Sequence, residues 1–151
     1  MKLIKKISLA LLFPLLFFAV SCSQKPYFQE TIILKNSIWE RFDIKSISFP
    51  IEKENETYTI YLKMKTNASF AYDEYPVYVI LTTPAGEERM REVTLKINKI
   101  SGSTINEGST ILWKDISIAN KGKCKITIEN QIPKYETPGV EWMSIEVEQN
   151  K

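Results

Sequence analysis

The stretch Tyr58-Thr59-Ile60-Tyr61-Leu62-Lys63-Met64-Lys65 decides the fold class. Tyr58, Ile60, Leu62 and Met64 share one parity, and Thr59, Tyr61, Lys63 and Lys65 share the other. A period of two belongs to a strand with one face in a core and one in water. The same period recurs along the chain. Val93, Leu95 and Ile97 alternate with Glu92, Thr94 and Lys96, and Cys124, Ile126 and Ile128 alternate with Lys125 and Thr127. Met143, Ile145 and Val147 alternate with Ser144, Glu146 and Glu148. Val77, Val79 and Leu81 alternate with Tyr78 and Ile80, so this segment is apolar on both faces and is expected inside a sheet.

Other segments are less regular. Tyr27 to Leu34 is rich in β-formers. Trp39 to Ile51 reads as one strand with a bulge, because Phe42 and Ile44 are out of phase with Ile47, Phe49 and Ile51. Ile111 to Ile118 forms a further strand around Trp113. Thr83-Pro84-Ala85-Gly86-Glu87 is a hairpin loop, with proline presetting φ and glycine permitting positive φ. Glu52 to Glu56 and Asn120-Lys121-Gly122 are also breaks, and Tyr135 to Gly139 precedes the last strand. Lys99 to Ser109 and Gln131 to Gly139 are expected as flexible connections, the places where loop-borne function would sit. No long helical period and no internal repeat occurs. The pattern predicts an all-β fold: an antiparallel β-sandwich of about seven to nine strands, immunoglobulin-like or jelly-roll-like.

The N-terminus has a different grammar. Met1 to Lys6 carries Lys2, Lys5 and Lys6 and no acid, and Ile7 to Val20 is apolar apart from Ser8 and Pro14. This is a signal-peptide pattern, too short for a membrane span of about 20 apolar residues. It ends in Ala19-Val20-Ser21-Cys22, which resembles the bacterial lipobox, with Ala19 where leucine is usual. A thiol suits lipidation because its thiolate attacks alkyl donors well. Residues 1–21 are therefore expected to be a lipoprotein signal peptide, 22–26 a tether lipidated on Cys22, and 27–151 a single sandwich domain. The expected lipid, palmitate-containing, holds the chain to a membrane. Ser23-Gln24-Lys25-Pro26 lacks an acidic run, which points to the periplasmic face of an outer membrane.

Composition narrows function. The chain has 20 cationic and 18 acidic residues, and losing Lys2, Lys5 and Lys6 leaves a mature charge of −1. That balance gives no footprint for nucleic acid. With Cys22 lipidated, Cys124 has no disulfide partner and reads as a buried strand residue. There is no histidine, which excludes Ser-His-Asp and Cys-His nucleophiles and histidine metal sites. Asp73-Glu74 and Glu87-Glu88 fall in turns without metal-loop spacing. No phosphate-cradling glycine loop and no Gly-x-Ser-x-Gly turn is present. The residues give no catalytic site, no metal and no cofactor. Tyr72, Tyr75 and Tyr78 form a local cluster, the expected patch for protein or glycan contact, and Trp39, Trp113 and Trp142 are expected to pack.

The order of features carries a resemblance. After the lipobox come Tyr27-Phe28, Trp39 with Asp43, Phe49-Pro50-Ile51 and Tyr58 to Leu62. Tyr75 to Leu81, Pro84-x-Gly86, a polar loop, Trp113, the Gly122 turn and a last strand ending Ile145-Glu146-Val147-Glu148 follow. This resembles the gliding-motility lipoprotein GldH family of the Bacteroidetes over nearly the whole mature chain. Lys65-Thr66-Asn67 stands where the family has an Arg-Asn pair, and Ser101 to Thr104 replaces its Trp-Leu-Gly stretch. The resemblance implies a non-enzymatic accessory or assembly component of motility or secretion-type machinery, with envelope proteins as partners. The alternative is a glycan- or small-ligand-binding envelope lipoprotein that uses exposed aromatics.

Overall fold

The computed structural model describes residues 25–151. The signal segment and Cys22 lie outside the described residues. Strands run β1 (Phe28–Ile33), β2 (Ile38–Glu40), β3 (Lys45–Ile51), β4 (Glu56–Asn67), β5 (Glu74–Thr82), β6 (Glu88–Asn98), β7 (Ile105–Ile118), β8 (Gly122–Asn130), β9 (Glu136–Pro138) and β10 (Val140–Gln149). A single 3-10 turn, Lys35–Ser37, separates β1 from β2. Eight strands form one antiparallel sheet in the order β1-β10-β4-β7-β6-β5-β8-β3, and β2 and β9 pair separately.

The pairing has a simple logic once β2 and β9 are set aside. The first strand pairs with the last (β1 with β10), the next with the next-to-last (β3 with β8), then β4 with β7 and β5 with β6. This is a long two-stranded ribbon with Thr83–Glu87 at its tip. Rolled so that its halves face each other, it makes the jelly roll rather than the immunoglobulin arrangement. One half is β1-β10-β4-β7 and the other is β6-β5-β8-β3. The inward side chains of both, among them Ile60, Leu62, Met64, Met143 and Ile145 facing Val77, Val79, Leu81, Ile126 and Ile128, form one core. Burying each such side chain stabilises by roughly 1.5–3 kcal/mol.

The roll is nearly closed. At one side its edge strands approach, with Phe28 and Phe49 rings 5.7 Å apart and the Tyr27 hydroxyl donating to the Pro50 carbonyl. Pro50 is tolerated because β3 is an edge strand. At the other side the β6–β7 ladder between the halves is short, running over Ile97↔Gly108 and Asn98↔Glu107. Gly108 permits that crossing, since a Cβ there would lie 2.8 Å from both the Lys96 carbonyl oxygen and Ile97 Cδ1. Nearer its start β6 pulls away from β7, and the Arg91 guanidinium reaches across to the Leu112 carbonyl.

The interior placing of Val77–Leu81 holds, since β5 lies between β6 and β8. Pro76 sits in this interior strand without cost to the ladder. Its carbonyl accepts from Gln131 N–H beyond the last β8 pair, so its nitrogen faces no ladder acceptor. Three expectations are corrected. Trp39 to Ile51 is two strands, because the turn after Glu40 closes through Asp43 N–H to the Glu40 carbonyl and sends β2 to a different sheet. Lys99 to Ser109 is not all connection, since β7 starts at Ile105, and Gln131 to Gly139 contains β9.

The roll has two distinct ends. At one lie Tyr27, the C-terminal Gln149–Lys151, and the short connections 52–55, 83–87 and 119–121. At the other lie the longer connections 34–44, 68–73, 99–104 and 131–139, with β2 and β9 among them.

Candidate contact surface

The long-loop end is built on an aromatic stack. Tyr75 points inward from β5 and is fully buried. Trp39 lies parallel on one side of it at 5.4 Å and Phe70 at 5.5 Å. Trp39 is also fully buried, and its Nε1–H donates to the Asp43 carbonyl at 2.8 Å. Its own carbonyl accepts from Asn130 Nδ2, which also donates to the Thr137 hydroxyl. Asn130 Oδ1 accepts from Ile132 N–H. Buried polar groups persist where they are bonded in this way, and the network fastens the β2–β9 pair to the main sheet.

Gly139 ties the remaining loops together. Its N–H donates to the Ser37 carbonyl, and its carbonyl accepts from Asn67 N–H. Its φ is +89°, and a Cβ would lie 2.3 Å from Phe70 N. Only glycine fits both the backbone region and the space.

On this platform two rings face solvent. Phe42 is 76% exposed and Tyr135 is 62% exposed, with centroids 6.4 Å apart. The Arg41 guanidinium lies 5.9 Å from the Phe42 centroid, and Arg41 N–H donates to the Tyr135 carbonyl at 2.8 Å. The Tyr135 hydroxyl donates to Glu40. Asp43 pairs with Lys45.

The tyrosine cluster does not assemble as expected. A spacing of three on a strand sends residues to opposite faces, so Tyr75 is in the core while Tyr78 is on the outer surface, its hydroxyl against Met90 Sδ. Tyr72 packs edge-on against Phe70. Trp39 and Trp113 are buried, and Trp142 is half-buried opposite Ile33. Phe42 and Tyr135 were missed as a surface pair. Their signal was present for Phe42, whose phase slip marked a turn rather than a bulge. Nothing in sequence brings it to Tyr135, which lies on the far side of the chain.

Chemistry is sparse elsewhere. Among the described residues no group of acids or cysteines could hold a metal. Asp73 pairs with Lys99 and Glu87 with Arg89. Burial pushes the Cys124 thiol up to about 11, away from nucleophilic use. Burial, then the neighbouring Tyr27, pushes Tyr58 up to about 12, and burial raises Tyr75 further. A cleft of 740 Å³ lies at the other end, lined by Lys25, Tyr27, Glu148, Gln149, Asn150 and Lys151. Among the described residues no helix is long and apolar enough to cross a membrane.

The jelly-roll topology around one shared core defines the chain as an all-β sandwich protein. The GldH lipoprotein family model matches residues 26–147, and the chain belongs to that family. The family is one of cell-envelope lipoproteins and is not a known enzyme family. No curated protein matches the chain. Among solved structures it is similar to dimeric latent PorU from Porphyromonas gingivalis, with 9% identity and a TM-score of 0.38. That likeness covers 84% of this chain and 13% of that one, so the chain spans about an eighth of PorU's length.

Proposed function

We propose that the chain is a lipid-anchored accessory or assembly component of gliding-motility or secretion-type machinery, acting by protein contact at the periplasmic face of the outer membrane. The observation that carries this reading is the family match over residues 26–147. The burial of Trp39 and Trp113 supports it, because a sugar-binding site needs such rings open beside a groove. The exposed Phe42–Tyr135 pair lies at the opposite end from the 740 Å³ cleft, which weakens the glycan alternative. A strain lacking the chain is expected to lose surface motility or protein export, restored by the wild-type gene. Unchanged motility and export would refute the role. Quenching of tryptophan fluorescence by envelope or dietary glycans would favour the alternative instead.

A further inference from the structure

We infer that the free edge of β6, along the seam where β6 and β7 part, takes an extended segment of a partner protein as an added strand. The inference rests on the proposed protein-contact role and adds the site and the form of its occupant.

The first observation is the direction of the backbone groups. Successive residues of a strand turn their N–H and C=O groups to opposite edges. Pro76 turns its carbonyl to the β8 side, toward Gln131 N–H, so its partner Thr94 turns its own groups away from β5. Ile97 N–H, of the other parity, donates to the Asp73 carbonyl on the β5 side. Glu88, Met90, Glu92, Thr94 and Lys96 therefore direct their N–H and C=O groups into the seam, where the ladder to β7 covers only Ile97 and Asn98. All five residues are exposed. A row of free donors and acceptors at strand spacing is matched by another extended backbone, which is the chemistry of strand addition.

The second observation is that this edge is regular and apolar contact flanks it. β6 keeps unbroken register with β5 from Glu88 to Lys96, whereas β7 shifts register twice against β4, on either side of Ile60. Such bulges blunt an edge. The remaining edges, β1 and β3, close on each other through Phe28 and Phe49. Two exposed apolar side chains flank the seam, Met90 next to Arg91 and Ile111 next to Leu112. They offer contact to alternate side chains of an added strand. Arg89, Arg91 and Lys96 offset Glu88 and Glu92 on β6, and Lys114 of β7 adjoins Asp115, so charge does not choose the occupant.

The third observation is the room available. The Arg91 guanidinium reaches the Leu112 carbonyl, so β7 stands within one side chain's reach of the β6 edge. The seam therefore admits a lone extended segment and excludes the edge of a second folded sheet, including that of a second copy. This chain's own tether is too short to fill it. With cleavage before Cys22, residues 22–26 span at most about 18 Å. Crossing β10, β4 and β7 from β1 uses about 14 Å of that reach. The occupant that remains is a tail or linker of another envelope protein.

The test uses the full lipidated chain in its native envelope. A photoreactive phenylalanine analogue replaces Met90 or Thr94, whose side chains share the outer face of β6. Separate chains carry it at Lys125 on the outer face of β8 or at Tyr135 at the long-loop end. Both β6 positions should capture one stretch of one partner, at points about four residues apart, because paired strands advance equally per residue. Glu92→Pro removes an N–H that faces the seam and none that faces β5, and should cut both yields about tenfold. Glu92→Thr keeps that donor and should leave the yields unchanged. Thermal midpoints report the folding of each variant, and where the proline variant is unfolded the four-residue register decides alone. Attachment points in different proteins or scattered along one, adducts only to lipid or to a second copy, or full yield from a folded proline variant would overturn the added strand. Protein adducts from Lys125 or Tyr135 alone would overturn this edge while leaving the protein-contact role standing. Adducts from no position would defeat both.

Discussion

Tyr75 stacks on Trp39 with ring planes 17° from parallel and centroids 5.4 Å apart, and together with the Asn130 hydrogen bonds this contact joins the small β2–β9 sheet to the main roll. The other face of Tyr75 meets Phe70, so one ring holds two loops. Its hydroxyl is buried without a hydrogen bond. Burial dominates and raises its pKa, with Thr137 beside it acting in the lowering direction. Tyr75→Phe should therefore be neutral or stabilising by up to about 1 kcal/mol. Tyr75→Ala should cost about 3–5 kcal/mol. Urea midpoints at constant slope measure both. A loss above about 2 kcal/mol for the phenylalanine variant would mean that the hydroxyl is bonded after all.

Gly139 and Gly102 make a controlled pair. Both have positive φ, +89° and +79°. A Cβ at Gly102 meets nothing within 4 Å, whereas at Gly139 it would strike Phe70 N, Cα and Cβ, all under 3 Å. Gly102→Ala should cost only the backbone strain, about 1 kcal/mol. Gly139→Ala adds a steric clash with backbone and should exceed 3 kcal/mol, in the class of special-position losses. Equal effects in thermal unfolding would show that the Gly139–Phe70 approach is not tight in solution.

The strands were legible because their signal is local. Tyr58–Lys65, Val77–Leu81 and Met143–Glu148 each wear the period of the face they bury. The roll itself was not legible, because the choice of jelly roll over immunoglobulin sandwich is made by long-range pairs such as Phe28↔Val147. The same limit applied at the surface. Tyr72, Tyr75 and Tyr78 are near in sequence, yet strand alternation separates Tyr75 from Tyr78. Phe42 and Tyr135 are far apart in sequence, yet β2 pairing with β9 brings them together. β7 escaped in part because Leu112 and Trp113 are both buried and Lys114 and Asp115 both exposed, two irregularities that break the period.

Cys124 lies opposite Phe49 in the core and is fully buried. Its thiol ordinarily ionises near 9 and in the folded chain near 11. Tyr58 moves likewise from 10 to about 12. Both groups are neutral when protonated, so the folded state holds protons that the unfolded state releases above pH 9–10. Their stabilising effect is complete below pH 9 and is lost as pH rises through 11 and 12. The unfolding midpoint should hold steady up to pH 9 and fall beyond it, with Cys124→Ala flattening the first part of that fall. At pH 8 a thiol reagent should label Cys124 only after denaturation. Rapid labelling of the native chain would contradict the burial.

Cys22 precedes the described residues, so the prediction for it is chemical. The lipobox-like Ala19-Val20-Ser21-Cys22 supplies one acceptor, and its use depends on a thiolate. Serine ionises far too weakly to replace it, so Cys22→Ser should incorporate no labelled palmitate. The fold should persist, because the core begins after Tyr27 and uses no disulfide, Cys124 being free. One acyl chain anchors only marginally and two anchor stably, at about 0.8 kcal/mol per buried CH₂. Loss of the modification should therefore move the chain from the membrane to the soluble envelope fraction with an unchanged urea midpoint. Retained label in the serine variant would refute the assignment. A chain that loses the label yet stays on the membrane would instead be held there by contact with another envelope component.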